Sequence, residues 1–413
     1  MAKIRPFRAY RPAPGWAEQI AALPYDVYNR EEATRIVQEN PYSFLAIDRA
    51  ETGFGPEVDA YAPVVYQRAA KLLRKRIREG CFLQEEVPCF YLYEQEFAGR
   101  SQTGIVACAS IDDYLQGVIK KHENTRADKE EDRIRHVDVC SMHTGPIFLA
   151  CRKEPRIREI IAGIRKQEAC LDFVAQDQVR HRVWVVDREE TIGAIQDAFD
   201  RVPALYIADG HHRCASAVKV GLLRRQQHPD YTGEEEFNRF LAVIFPEEEL
   251  SILDYNRVVR DLNGHTVPEF LKLVGEKFQV ESLGQTPYHP GRRETFGMYL
   301  EDTWYRLVAR EEIRDRDVVG GLDVSLLQNH LLGPVLGIQD PRTDARIDFV
   351  GGVRGLEELV RRVHTDMKVA FSLYPTSIGE LLDVADGGRL MPPKSTWFEP
   401  KLRSGLFLHG LDE

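Results

Sequence analysis

The stretch that decides the interpretation of this chain is Leu205-Tyr206-Ile207-Ala208-Asp209-Gly210-His211-His212-Arg213-Cys214-Ala215-Ser216-Ala217. An apolar run rich in β-formers ends at an Asp-Gly pair, and small residues follow at helical spacing. This pattern predicts a strand, a tight turn and a helix start. Backbone N–H groups and the positive end of the helix dipole meet at such a junction, and Arg213 adds a planar fork of donors. We therefore expect an anion to bind there.

Composition bounds the function classes. The 413 residues suffice for two ordinary domains or for one elaborated domain. An apolar content of 43% and a charged content of 29% are typical of a globular protein with a substantial core. The formal net charge of -10 argues against nonspecific nucleic-acid binding as the main task.

Cysteine usage and hydropathy predict a cytoplasmic protein. The seven cysteines are an odd number without a CxxC pair, which favours reduced thiols over a disulfide framework or a zinc ribbon. The N-terminal segment Met1–Pro6 has no apolar core of a signal peptide. No apolar run approaches the ~18 residues that span a bilayer, so we expect no membrane partner.

Periodicity along the chain predicts an α+β protein without repeats. Asn29 is a candidate N-cap for a short helix to about Glu39, and segments 89–97 and 102–111 predict a hairpin around Gly99-Arg100-Ser101. A polar linker near residue 232 suggests an N-terminal part, 1–232, that contains the Asp-Gly turn. The α+β part 233–413 would begin with the buried strand 240–245, and its tail 391–405 would return to the site.

A second chemically dense segment is Ile119-Lys120-Lys121-His122-Glu123-Asn124-Thr125-Arg126. His122 and Glu123 could supply a general base or a metal ligand, with the basic residues meeting phosphate oxygens. The alternative is an exposed charged loop before a solvated helix over 128–135. The second histidine four residues on that a zincin requires is absent.

Two further segments are candidates for the site. Lys394-Ser395-Thr396 has the residue types of a phosphate-binding turn, and Lys401 follows it, but the glycines of a P-loop are missing. The alternative is a tail anchored over the first domain by Trp397 and Phe398. Tyr25-Asp26 is either a turn that packs the N-terminal arm or part of a site lining.

The motif Asp209-Gly210-His211-His212-Arg213 resembles the nucleotide-binding signature of the ParB/sulfiredoxin superfamily, and its form is closest to that of the free serine kinases. The whole chain, from Pro6-Phe7 and Pro24-Tyr25-Asp26-Val27 through His122-Glu123-Asn124-Thr125 to Lys394–Lys401, resembles the family called domain of unknown function 1015. The superfamily resemblance implies a mixed-sheet nucleotide-binding core elaborated by large N-terminal and C-terminal α/β parts.

The same resemblance implies a phosphate site made by Gly210, His211, His212 and Arg213, with Asp209 facing the reacting centre or a magnesium ion. Sulfiredoxins carry their reactive cysteine where this chain has His211, which argues against sulfinic-acid reduction.

Together these segments predict a nucleotide-dependent kinase of a small hydroxylated metabolite, with free L-serine as first acceptor, ATP or ADP as donor, and Mg²⁺. Phosphoryl transfer needs positive charge around the phosphates and a carboxylate for the incoming hydroxyl. The catalytic candidates are Glu123, Asp209, His211 and His212, and Tyr25, Asp26 and His122 are candidates for the substrate side. Phosphate binding falls to Gly210, His211, His212, Arg213, Lys394, Ser395, Thr396 and Lys401, and Asp209 is the candidate metal ligand.

Two alternatives stay open. One is a nucleotide-binding regulatory or switch protein that phosphorylates no metabolite. The other is a metal-dependent hydrolase built on His122, Glu123, His211, His212 and Asp209. Adjacent helical residues point ~100° apart, so at most one of His211 and His212 would face a given metal. A homo-oligomer is compatible with the sequence.

Overall fold

A computed structural model describes residues 1–412 of the chain. Contacts divide them into two compact units: Met1–Leu250 together with the residues from Pro400 onward, and Ser251–Glu399. The expected linker near residue 232 lies inside the first unit, because the strand Arg239–Pro246 pairs there. As independently folding domains, the parts 1–232 and 233–413 stay a prediction.

The first unit is built on a mixed sheet. Its strands run in the order Ile119–Lys120, Leu205–Asp209, Ile147–Cys151, Arg239–Pro246, Arg100–Ser110, Phe90–Phe97, Arg180–Val186 and Leu171–Val174, and Ile4–Arg5 pairs with Arg100–Ser110. Pairing is parallel where Leu205–Asp209 meets Ile119–Lys120 and where Arg239–Pro246 meets Ile147–Cys151. Shorter strands are Tyr10–Pro12, Phe82–Gln84, Met142–His143 and His409–Gly410.

Helices cover both ends of the chain segment that forms this sheet. They are Ala17–Ile20, Arg30–Glu39, Leu45–Asp48, Pro63–Arg78, Ile111–Leu115, Ala127–Cys140, Pro155–Ile164, Glu189–Phe199 and His211–Gln227. Aliphatic and aromatic residues of the sheet, such as Leu149, Leu205 and Phe240, are fully buried in its core. The mixture of sheet and helices confirms the α+β fold class.

Local sequence signals explain several element boundaries. The Asn29 side chain accepts the Glu32 N–H at the start of Arg30–Glu39, and Glu32 accepts the Asn29 N–H, which is a capping box. The predicted hairpin is present, but its turn is Ala98-Gly99, with φ of 50° and 78°. Arg100 pairs with Phe97 as a strand residue, because two residues with positive φ match the strand twist in a tight hairpin.

The charged helix Ala127–Cys140 differs from its expected solvated state. It packs against His211–Gln227 and Pro63–Arg78. Its charged residues Glu130, Asp132, Arg133 and His136 are therefore buried. They are tolerated because they are paired: Arg133 donates to Asp132, for example, at 2.9 Å.

The second unit contains an antiparallel sheet in the order Phe278–Gly284, Thr303–Ala309, Thr295–Leu300, Val369–Leu373, Tyr255–Val259 and Ile347–Gly351. Its helices are Val267–Lys277, Asp323–Leu327, Gly355–Thr365 and Ile378–Asp386, and Gln328–Leu332 forms a π-helical turn. Ile252–Leu253 pairs separately with Trp397–Phe398. The two strands Phe278–Gly284 and Tyr255–Val259 were not anticipated from the sequence. Within residues 1–412, no helix is long and apolar enough to cross a membrane.

Candidate functional site

The Asp-Gly turn lies at the end of the strand Leu205–Asp209, as the sequence predicts. The pairing of this strand with Ile147–Cys151 shifts register between Ile207 and Asp209. Such a bulge lets Asp209 leave the face that Ile207 buries in the core. The carboxylate consequently reaches the surface end of the sheet, where its side chain is 33% exposed.

Two cations hold the Asp209 carboxylate. Its Oδ2 lies 3.3 Å from Nζ of Lys401 and 3.8 Å from Nη2 of Arg213, while Oδ1 accepts the Gly210 N–H at 3.0 Å. Burial alone would raise the pKa of this carboxyl, but Lys401 and Arg213 outweigh it and lower the pKa to about 2. Asp209 is thus ionised at neutral pH, and one negative charge meets two positive ones.

Gly210 is the N-cap of the helix His211–Gln227, with φ of 89° and ψ of 33°. Glycine adopts this left-handed conformation without steric cost. A glycine N-cap brings no side-chain oxygen to the N–H groups of the first helical turn. The Arg213 guanidinium folds back over the turn, and its Nη1 donates to the Pro146 carbonyl at 2.7 Å. The turn therefore presents open backbone donors beside an anchored guanidinium.

His122 and His211 meet on one side of the turn. Their ring centroids lie 4.5 Å apart at an interplanar angle of 85°. Nδ1 of His211 is 3.9 Å from Oε2 of Glu123, whose side chain is 64% exposed. Burial lowers the pKa of His122 to about 4 and that of His211 well below its usual range, and the Asp209 charge opposes both shifts. Both imidazoles are neutral at pH 7.

A cavity of about 300 Å³ adjoins these side chains, lined by Tyr114, Lys121, Glu123, Asn124, Thr125 and His211. The lining is polar and combines an ammonium, a carboxylate, an amide and a hydroxyl. Sequence reasoning singled out this segment but missed Tyr114, which lies in the preceding helix Ile111–Leu115. A tyrosine there carries no local signal of such a position.

His212 faces a different neighbour from His211, as expected for adjacent helical residues. Its Nε2 accepts the backbone N–H of Arg126 at 2.9 Å, which ties the two chemically dense segments together. Burial lowers the pKa of His212, and Asp26 opposes that shift. Because Nε2 acts as an acceptor, the His212 ring is neutral in this contact.

Tyr25 and Asp26 differ in environment. Tyr25 is buried under the guanidinium of Arg133, whose Cζ lies 4.0 Å from the ring centroid. Burial raises the pKa of Tyr25 to about 12. Tyr25 lines, with Arg213, a small cavity of about 30 Å³, whereas Asp26 is exposed. Tyr25 thus packs the N-terminal arm next to Arg213, and the substrate role of both residues stays a prediction.

The predicted basic segment is divided between the two units. Lys401 belongs to the first unit and pairs with Asp209. Lys394, Ser395 and Thr396 belong to the second unit, where the Lys394 carbonyl accepts Nη2 of Arg257 at 2.9 Å. The Ser395 hydroxyl is buried and donates to the Pro392 carbonyl. A phosphate-binding role for residues 394–396 stays a prediction.

Residues 4–325 match the family model described as protein of unknown function (DUF1015). The chain belongs to the DUF1015 family. The Asp-Gly turn, the cavity and the residues that line it lie within the matched part of this DUF1015 protein. The search of curated proteins gives no match for it.

Solved structures similar to the DUF1015 chain include a variant free serine kinase in complex with ADP, at 14% identity and a TM-score of 0.35, covering 71% of this chain and 87% of that one. SbnI from Staphylococcus aureus with a C-terminal truncation matches at 10% identity and a TM-score of 0.38, covering 72% and 85%. A conserved hypothetical protein from Pyrococcus furiosus matches at 14% and 0.31, covering 72% and 93%. Similarities this weak do not establish what this chain does.

Proposed function

We propose that this chain transfers a phosphoryl group from a nucleotide to the hydroxyl of a small metabolite, with free L-serine as the first acceptor to test. The observation that carries the proposal is the Asp209-Gly210 turn. It gathers an uncapped helix N-terminus, the Arg213 guanidinium and the Lys401 ammonium at one point. The motif's resemblance to the free serine kinases supports the same reaction.

The donor's phosphates have suitable partners at this turn. N–H groups at a helix start and an arginine fork are the usual protein partners of phosphate oxygens. Asp209, Lys401 and Arg213 together carry a net charge of +1, from one carboxylate and two cations. The positive end of the helix dipole adds to this charge. An anionic phosphate is therefore favoured in spite of the aspartate.

Glu123 is the better candidate to orient the acceptor hydroxyl and receive its proton. The Asp209 carboxyl is a poor base, because its pKa of about 2 reflects two attached cations. The Glu123 carboxylate stands at the cavity wall, and its side chain is mostly exposed. The cavity of about 300 Å³ has the size and polar lining to hold a small hydroxylated metabolite.

Magnesium would enter this reaction mainly with the nucleotide. Both Asp209 oxygens are already engaged, by Gly210 on one side and by the two cations on the other. Mg²⁺ commonly keeps several waters and binds through substrate phosphates. Its role here would be to neutralise charge on those phosphates, and Asp209 as its ligand stays a prediction.

The test incubates purified protein and MgCl₂ with ATP, ADP or CTP and a panel of small alcohols led by serine, followed by phosphorus NMR. We expect a phosphomonoester product from at least one pairing. Glu123→Gln should reduce its rate by ~10²–10⁴-fold, the usual worth of general-base help. The matched control is Glu131→Gln, because Glu131 is exposed and pairs with Arg135 on the helix Ala127–Cys140. Absence of any phosphorylated product refutes the proposal, and nucleotide binding without transfer would favour a switch protein.

A further inference from the structure

We propose that His122, Glu123 and His211 bind a divalent transition-metal ion, with Zn²⁺ as the probe, at the wall of the cavity beside the Asp-Gly turn. Each of the three residues offers one ligand atom, and these atoms lie within 4.8 Å of one another. The binding requires no phosphoryl transfer, so it does not depend on the proposed function.

The distances are close to those of a metal site. Two ligands at ~2.0–2.1 Å from a tetrahedral ion lie ~3.3 Å apart. The three donors therefore need to approach by roughly 1 Å or somewhat more. Glu123 can supply much of this movement, because its side chain is 64% exposed and the cavity adjoins it. The two imidazoles are already in edge-to-face contact at 4.5 Å.

Two buried nitrogens at this point need a partner. Within residues 1–412, Nδ1 of His122 and Nε2 of His211 have no hydrogen-bond partner, although both side chains are more than nine-tenths buried. An unpaired buried polar atom costs ~1–3 kcal/mol, so native proteins rarely leave two together. A metal ion would use a lone pair that is otherwise wasted.

His122 also shows the support typical of a metal-bound histidine. Its ring is hydrogen-bonded to the Ile207 backbone, and since Nδ1 has no partner, this bond is made through Nε2. A ligating histidine usually donates its second N–H to a backbone carbonyl or a carboxylate, which fixes its tautomer and orientation. The bond to the strand Leu205–Asp209 thus leaves the Nδ1 lone pair directed away from the sheet.

The donor set selects the class of ion. Two imidazole nitrogens and one carboxylate suit zinc and its neighbours, whereas Mg²⁺ and Ca²⁺ prefer oxygen ligands. Asp209 does not add a fourth ligand here, because both of its oxygens are engaged. Three protein ligands with a cavity on the fourth side are the arrangement of a zinc site that accepts water or substrate.

A second cluster in the first unit serves as an internal comparison. Cys108, Glu236 and His409 also place ligand atoms within 4.8 Å. Both ring nitrogens of His409 already have partners, however: Nδ1 contacts Nδ1 of His143 at 3.0 Å, and Nε2 contacts Glu236 at 2.7 Å. A hydrogen-bonded chain accounts for that cluster without an ion.

The test measures zinc itself. Protein stripped with EDTA is titrated with ZnCl₂ by calorimetry, and the bound metal is counted after gel filtration. We expect one ion per chain. Glu123→Gln and His122→Ala should each weaken binding by at least ~10-fold, since even supporting residues of a metal site are worth 10–100-fold in affinity. His364→Ala is the control, because His364 is an exposed histidine paired with Asp302.

Two further arms keep the result decisive. Glu123→Gln changes an exposed side chain, so loss of zinc in a variant with the wild-type melting temperature cannot be attributed to unfolding. Cobalt substitution should give a spectrum without thiolate absorption. Zinc bound below stoichiometry, or equally well by Glu123→Gln and His122→Ala, overturns the proposal. Loss of binding in Cys108→Ser instead would assign the ion to the other cluster and also overturn it.

Discussion

Replacing Gly210 by alanine should separate the backbone strain of the turn from its role in binding. Gly210 has φ of 89° and ψ of 33°, a left-handed conformation that costs an L-residue roughly 1–2 kcal/mol. An added Cβ would also lie 3.0 Å from Nε and Nη2 of Arg213. The guanidinium would have to move by a few tenths of an ångström, although its Nη1 is anchored on the Pro146 carbonyl. Gly210→Ala therefore strains the backbone and displaces the proposed phosphate-binding arginine.

Gly80→Ala is the matched control. Gly80 has φ of 76°, and residues 1–412 place no atom within 4 Å of its added Cβ. The two variants share the backbone penalty, but only Gly210→Ala disturbs Arg213. A penalty of ~1–2 kcal/mol lowers the melting temperature by ~2–8 °C in a unit of this size, and both variants should show it.

Nucleotide affinity should distinguish them. A hydrogen bond to a charged group contributes ~1.5–3 kcal/mol, so a displaced guanidinium costs ~10–100-fold in affinity for ADP. Titration of each variant with ADP by calorimetry measures this directly. If Gly210→Ala bound ADP as tightly as Gly80→Ala at an equally lowered melting temperature, Arg213 would not be the phosphate ligand and the reasoning would fail.

Three further changes test the electrostatics of the two units. Lys401→Met should raise the pKa of Asp209 from about 2 and weaken ADP binding, as seen by carboxyl NMR and calorimetry, whereas Lys166→Met, at an exposed lysine, should change neither. Arg213→Lys should weaken ADP binding ~10-fold, because an ammonium cannot replace the planar fork; unchanged affinity would exclude bidentate binding. Burial raises the pKa of Asp323 to about 7, so the folded protein holds a proton that the unfolded chain releases near pH 4. Stability should fall as pH rises from ~4 to ~7, and Asp323→Asn should flatten that fall in melting curves; parallel profiles would contradict it.

Local chemistry made much of the fold predictable. Asn29 caps its helix through Glu32, three residues away, and the strand, turn and helix around Gly210 follow each other directly in the chain. Such elements depend on side-chain periodicity and on the backbone freedom of single residues. The position of the strand Arg239–Pro246 was not predictable in this way. Its apolar run indicates a buried strand, but pairing with Arg100–Ser110 is decided by residues more than a hundred positions away.

The sequence by itself determined the elements and the chemistry of the candidate site: an anion-receptive turn at Asp209-Gly210, neutralising lysines and a carboxylate at Glu123. Tertiary structure decided which of them meet. Lys401 reaches Asp209 across 192 residues, and Glu123 lies beside His211. It also buried the charged helix Ala127–Cys140 and left two imidazole nitrogens facing each other without partners within residues 1–412. The reason is physical: hydrogen-bonding patterns within an element are local, whereas burial and charge pairing depend on contacts that exist only after the whole sheet has formed.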